Sequence, residues 1–411
     1  MRIAFLVGEF PSLSETFILN QITGLIDRGH DVFIYADRPE KLDKVHPDVE
    51  NYQLLECTFY YPPIPVSYLS RLFRWLWLLM DLLLKDPRLA IRSLDPFKFR
   101  RWIVTLRGLY LIAPFAGKEH TYDIIHCHFG NVGLKGLFLR DVRAIQGNLV
   151  ITFHGYDITA LPQQLGETMY RYLFQKGDQF TCGSTFMINR AIELGCPQEK
   201  LVKMPVGVNC SDYLFRARAL EQSKPVSLIT VARLTEKKGL EYSIRAIATV
   251  AQNHPNLIYR ILGDGPLRDA LQQLIRDLGM DSQIQLLGWQ TKDEVRKLYD
   301  ESHIFILASV TAKNGDKEGQ GLVLQEAQAM GLPVLATLHN GFPDSVLDSQ
   351  SAFLVPERNV EALVAKLIFL IEHPEKWAAM GKIGREFVEA NFEVEKLSDQ
   401  LVDIYQKLLQ E

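Results

Sequence analysis

Two glutamates stand eight positions apart in "EGQGLVLQEAQAMGLPVLA", residues 318–336, with Gly319 and Gly321 between them. Glycine is a poor helix-interior residue, so a helix is expected to begin near these two. "LVLQEAQAM" continues it to Gly331, a good residue just past a helix end, with Pro333 beyond. Glu318 then precedes the helix and Glu326 lies within it. The N–H groups at residues 320–323, Gln320 and Leu322 among them, would form an anion site at the helix start. A phosphate could sit there with one carboxylate on either side, each accepting hydrogen bonds from sugar hydroxyls. The alternative is two ordinary glutamates on a solvated helix.

A second candidate anion site is "VARLTEKKG", residues 231–239, where a strand runs into a helix. Arg233 and Lys238 would meet near the carboxyl end of that strand, where open parallel sheets bind ligands. Two cations there suit a diphosphate, Arg by its fork and Lys as a point charge; the alternative is a solvated basic loop. "GDGP", 263–266, also follows a strand, and its glycines would let a ligand approach the backbone. It is not G-x-G-x-x-G, and no G-x-x-x-x-G-K-[ST] occurs, so neither a nicotinamide cofactor nor a Walker-type loop is supported. In "TFHGYD", 152–157, His154 ends a strand and leads into a glycine-containing loop closed by Asp157. In "HCHFG", His126 and His128 share one strand face; a third metal ligand is not evident, so His126 reads as packing or a polar wall and His128 as a candidate for lining a cleft.

These residues fall at the ends of short apolar runs that alternate with helical patterns. Strands are expected at 2–7, 31–36, 122–129, 148–155 and 179–184, and again at 226–233, 256–265, 283–288, 304–309, 333–337 and 352–356. The first helix is expected over 15–30. Such alternation gives doubly wound parallel sheets, here twice, so the fold class is α/β with two Rossmann-like domains. A chain of 411 residues exceeds one ordinary core. The less regular joint at 209–225 divides it into 1–210 and 211–395, with a last helix over 396–411 that serves the second domain or crosses back to the first.

The net charge is −4, split into 23 Lys+Arg against 21 Asp+Glu over residues 1–205 and 22 against 28 over the rest, which excludes a sequence-wide nucleic-acid footprint. The five cysteines are scattered without a C-x-x-C pair, so no disulfide framework is expected and a reducing cytoplasm fits. The short apolar start reads as a first strand rather than a signal peptide. Residues 64–112 break the alternation: 71–107 carry nine Lys+Arg against three Asp, with Trp75, Trp77 and Trp102 among the arginines. Amphipathic helices of that composition suit a membrane interface; packing on the sheet with Arg stems over apolar surface is the competing reading.

Taken together, Glu318 and Glu326, Arg233 with Lys238, "GDGP" and "PVGVN" (205–209) resemble the retaining family 4 glycosyltransferases, over nearly the whole chain and in the family's order. "FPSLSETFILNQI", "HCHFG" and "TFHGYDIT" resemble the members that build exopolysaccharides of the colanic-acid type. The resemblance implies the GT-B fold, two Rossmann-like domains facing across a cleft, with a nucleotide-sugar donor mainly on the second. It implies that Arg233 and Lys238 hold the diphosphate and that Glu318 grips the sugar with the backbone of Gly319, Gln320, Gly321 and Leu322. Glu326 would take the ribose. Gly265, Gly288 and Trp289 would lie near the base, and His154 would contact the transferred sugar. On the acceptor side we place Gly8, Glu15, Thr16, His128 and Asp157; many relatives carry a Gly-Gly pair where this chain has Gly8 alone.

The implied activity is transfer of a sugar, glucose first, from a UDP-sugar to a growing lipid-linked glycan, at the inner face of the cytoplasmic membrane and with no cofactor. No D-x-D occurs, so no metal is expected at such a motif; the helix start, Arg233 and Lys238 would neutralise the leaving diphosphate. Catalysis would rest on His154, Glu318 and Lys238, with Glu318 a hydroxyl ligand rather than a nucleophile and departure and attack on one face of the sugar. The polar loop 311–319 is expected to be mobile and to order over the donor. A nucleotide-sugar epimerase of the same fold, or a sugar-binding protein without catalysis, are the competing functions. The basic tryptophan-rich insertion favours the transferase.

Overall fold

The computed structural model describes residues 1–12, 15–40, 46–117, 120–221 and 224–410. Leu13 and Ser14 of the "FPSLSETF" stretch lie outside them.

The first sheet has seven strands: β1 (Arg2–Glu9), β2 (Asp31–Arg38), β3 (Thr58–Tyr60), β4 (Thr121–His128), β5 (Gln146–Phe153), β6 (Gln179–Cys182) and β7 (Leu201–Lys203). Their order is β3-β2-β1-β4-β5-β6-β7, all parallel. The second has six: β8 (Val226–Val231), β9 (Leu257–Leu262), β10 (Ile284–Gly288), β11 (Ile304–Leu307), β12 (Val334–Thr337) and β13 (Ala352–Val355), in the order β10-β9-β8-β11-β12-β13, again all parallel. Ile3 to Val7 of β1 are almost fully buried without alternation, as a strand covered by helices on both faces must be. The chain reverses its direction of winding between β1 and β4 in one sheet and between β8 and β11 in the other. Those are the two places where parallel sheets open a ligand crevice.

Strand β1 runs through Glu9, so Gly8 lies inside the strand rather than in the loop after it. Its ladder needs no side chain there, and a Cβ on Gly8 would touch nothing within 4 Å. Two edge strands, β3 and β7, were not expected from the sequence; each is three residues long, too short to show a period of its own.

The last helix, Val394–Gln410, packs on the first domain. Arg28 holds it by ion pairs to Glu395 at 3.0 Å and Asp399 at 2.7 Å. The buried hydroxyl of Tyr405 meets His126 Nδ1 at 2.5 Å. No helix among the described residues is long and apolar enough to cross a membrane.

Candidate active site

The helix Leu322–Ala329 begins after Gly321, which has φ +82°. A Cβ on Gly321 would lie 2.6 Å from the Phe342 ring, so only glycine permits this turn. Gly319 is required for a different reason: a Cβ there would come within 2.9 Å of the His154 carbonyl oxygen. Glycine therefore lets the donor-side loop lie directly against the His154–Asp157 loop of the first domain. Glu318 is off the helix and Glu326 is on it.

Glu318 forms an ion pair with Lys238. Burial alone would raise its carboxyl, but Lys238 and Lys237 outweigh that and hold it near 2. Its own N–H donates to His339 Nε2 at 3.0 Å, and His339 Nδ1 faces Glu357. Accepting at Nε2 puts the imidazole proton on Nδ1, where Glu357 accepts it, so this histidine acts as a rigid link from β12–β13 to the Glu318 backbone. Lys237 pairs with Asp316 at 3.3 Å and Arg358 donates to the Thr311 carbonyl. The loop 311–319, expected to be mobile, is thus tied down at several points. His339 and Glu357 were not foreseen, because they follow β12 and β13, far in sequence from Glu318, and only the sheet brings them to it; Lys237 lies within the quoted 231–239 motif but was not singled out.

A cavity of about 370 Å³ opens beside this pair, lined by Arg233, Lys238, Glu318, Gly263 and Trp289 among others. Arg233 is exposed and has no ion pair among the described residues. Lys238 carries three N–H donors, so it can hold Glu318 and an anion together. The exposed ring of Trp289 forms one edge. Gly288, with φ +72°, turns the chain just before it. The glycines of "GDGP" also serve the neighbouring loop: a Cβ on Gly263 or Gly265 would strike the carbonyl of Ala232 or Leu234. What approaches their backbone is therefore protein. Glu326 sits deeper, its Oε2 accepting from the Tyr299 hydroxyl at 3.2 Å, with Tyr213 a second donor. Burial raises its carboxyl against these two hydroxyls.

Across the cleft, His154 is held between the rings of Phe17 and Phe129, and its Nε2 lies 3.0 Å from His128 Nδ1. Burial pushes its imidazole down to about 3, so it is neutral at ordinary pH. His128 Nε2 is buried without a partner among the described residues. A bare lone pair costs less there than an unpaired N–H, so the favoured tautomer has His128 Nδ1–H donating to His154 Nε2. His154 then carries its own proton on Nδ1. Two expectations for the acceptor wall need correction. His128 is fully buried beneath His154 and lines no cleft. Asp157 is buried too, its oxygens accepting from the N–H groups of Gly130, His154 and Gly155 at 2.8, 3.0 and 3.0 Å, so it shapes the loop and does not face the cleft. Glu15 precedes the helix Thr16–Asp27, opened by Thr16; its Oε2 is buried without a partner among the described residues. Burial, with Glu9 and Glu40 adding to it, pushes its carboxyl up to about 7.

Polar contacts fasten the two faces to each other. Ser184 Oγ donates to the Gly319 carbonyl at 2.9 Å. Asp344 accepts from the Thr185 N–H and hydroxyl at 2.7 and 2.9 Å and pairs with Lys203 at 2.5 Å. Gln320, expected to offer its backbone to a sugar, spends its side chain on the backbone of Val206. Among the described residues no group of three or more His, Cys, Asp or Glu is gathered to hold a metal ion.

Two parallel-sheet domains, with a cationic crevice on one and a neutral histidine on the other, have the GT-B architecture. Residues 14–212 match the model of Glycosyltransferase Family 4 and residues 214–387 that of Glycosyl transferases group 1. The chain is 32% identical to the amylovoran biosynthesis glycosyltransferase AmsK of Erwinia amylovora, covering 99% of this chain and 100% of AmsK. It is 33% identical, over 99% and 100%, to WcaL of Salmonella typhimurium, assigned to colanic acid biosynthesis as a glycosyltransferase. Among solved structures it resembles Anabaena HepE in complex with UDP and glucose, with a TM-score of 0.69 at 18% identity over 99% of this chain and all of that one. The chain belongs to the family 4 glycosyltransferases.

Proposed function

We propose that the enzyme transfers a hexose, glucose first, from a UDP-sugar to a lipid-linked exopolysaccharide glycan, with retention of configuration and at a membrane surface. The observation that carries the reading is the crevice at the β8–β11 crossover. Free Arg233 and paired Lys238 flank the start of the helix Leu322–Ala329, with Glu318 in front of it. The diphosphate lies against the cations and the helix start, which together offset the charge that grows as the glycosidic bond breaks. Glu318, ionised at any ordinary pH, accepts from hydroxyls of the transferred sugar. His154 Nδ1–H donates to the same sugar from the other side, and Trp289 offers its exposed ring to the base. Glu326 takes the ribose with the oxygen its tyrosines leave available. The exopolysaccharide role is supported by AmsK and WcaL, and the UDP-sugar by the UDP and glucose of HepE.

The membrane surface is supported by the helix Tyr68–Lys85. Leu69, Phe73, Leu76, Trp77, Met80 and Leu84 form one exposed stripe at helical spacing, Phe73 at 72% and Leu84 at 82% exposure. Soluble surfaces rarely carry such a continuous apolar patch, and Arg74, Arg88 and Arg92 around it complement anionic lipid.

The test is incubation with UDP-glucose, GDP-mannose and a lipid-linked acceptor fraction, with NMR of the product. Transfer from UDP-glucose with an α-anomeric proton in the product supports the reading. A β-linked product, or transfer from GDP-mannose alone, overturns it.

A further inference from the structure

A larger cavity, of about 640 Å³, lies above the carboxyl ends of the first sheet. Its walls come from β2 and the segment after β3, from the helix Gly130–Asp141, from the helix Ala160–Leu165 that follows the His154 loop, and from the insertion at 101–111. Its size suits a small-molecule site. Four cations line it. Two are neutralised: Lys135 by Asp37 and Arg38 by Glu9. The other two, Arg101 and Arg107, are exposed and make no ion pair or side-chain hydrogen bond with the described residues. Two aromatic rings share the lining. Trp102 is fixed by stacking on Phe138 at 4.8 Å. Tyr61 is only 7% exposed, and its hydroxyl is buried without a hydrogen-bond partner among the described residues. An orphan hydroxyl and two unpaired guanidinium groups that line one cavity suit a polar, anionic guest.

The cavity wall and the exposed apolar helix are one unit. Arg71 of that helix donates to the Thr105 carbonyl at 3.2 Å, and Tyr110 from the cavity wall donates to the Arg71 carbonyl at 3.0 Å. The cavity wall is therefore continuous with that helix on one side and with the helix Ala160–Leu165, which follows the His154 loop, on the other.

We infer that this cavity binds the glycosyl-phosphate end of the acceptor: phosphoryl oxygens on Arg101, Arg107 and the Tyr61 hydroxyl, sugar against Trp102, and the lipid chain leaving along the stripe of Tyr68–Lys85. This deepens the proposed function and rests on its lipid-linked acceptor. Farnesyl diphosphate, inorganic pyrophosphate and farnesol serve as probes in calorimetric titration of the full chain. Farnesyl diphosphate is expected to bind at least about tenfold more tightly than either of the others. The double variant Arg101→Gln/Arg107→Gln should weaken it by roughly tenfold or more, the loss of a charge-assisted contact. Tyr61→Phe, which keeps the ring and its packing, should also weaken it, with UDP affinity unchanged in both variants. Pyrophosphate binding as tightly as farnesyl diphosphate, or binding indifferent to both variants, overturns the inference. Loss of UDP binding in wild type would instead strike the donor reading and leave this one standing.

Discussion

The side-chain amide of Gln320 pairs with both backbone groups of Val206: Oε1 accepts from the Val206 N–H and Nε2 donates to its carbonyl, 2.7 Å each way. It is the same arrangement a neighbouring strand would make, built from one side chain. It joins the residue next to Glu318–Gly319 to the segment that leaves the first domain. One side chain thus ties the loop that precedes the helix Leu322–Ala329 to the end of the first domain.

Gln320→Ala should therefore do two things. It removes two hydrogen bonds, about 1 kcal/mol each, and it loosens the approach of Gly319 to His154. We expect a lower thermal midpoint together with a higher KM for the donor. Lost stability with unchanged KM would show that the clamp is structural only.

Glu15 gives a prediction with a definite sign. Its folded-state value near 7 lies above the ordinary carboxyl, so it contributes stability fully below about pH 4.5 and loses it as pH rises through 7. Glu15→Gln fixes the neutral form. The variant should melt higher than wild type at pH 8 and at the same temperature at pH 4.5. Equal midpoints at both pH values would contradict it.

The stacked histidines run the other way. His126 and His154 are held near 3 by burial, and His128 is pushed well down too. The unfolded chain binds these protons first, so their stability is present above about pH 6.5 and is lost as pH falls toward 3. Measured in Glu15→Gln, where the opposing carboxyl is removed, the thermal midpoint should fall steadily from pH 7.5 to pH 5. A flat profile would mean the histidines titrate normally.

The proposed membrane contact depends on the outward side chains of the insertion and not on the inward ones. Arg71 is spent on the carbonyls of Pro65, Val66 and Thr105, while Trp75 and Trp102 pack on the core. Phe73→Ser/Trp77→Ser/Leu84→Ser should abolish flotation with phosphatidylglycerol vesicles without lowering the melting temperature. Wild type that never floats would end the membrane reading.

The alternating pattern made both parallel sheets legible, and with them the strand ends where ligands belong. Glycine placement separated Glu318 from the helix that carries Glu326. What could not be read was everything set by approach between distant segments. His128 looked like a cleft residue because i, i+2 spacing shows a shared face and not which face is buried. Asp157 looked available because a sequence does not show three backbone N–H groups converging on it. The Gln320–Val206 pair, the His339–Glu357 link and the Ser184–Gly319 bond join positions 18 to 135 residues apart, and none belongs to a local motif.

The central claim is that Lys238 and Glu318 grip a nucleotide-sugar donor. UDP release from UDP-glucose in the presence of acceptor tests it most directly, in wild type, Lys238→Ala and Glu318→Gln, each checked for an intact melting transition. The account predicts that each variant stays folded and loses roughly a hundredfold or more in kcat, the scale of removing one preorganised electrostatic contact. Folded variants that release UDP at the wild-type rate would contradict it.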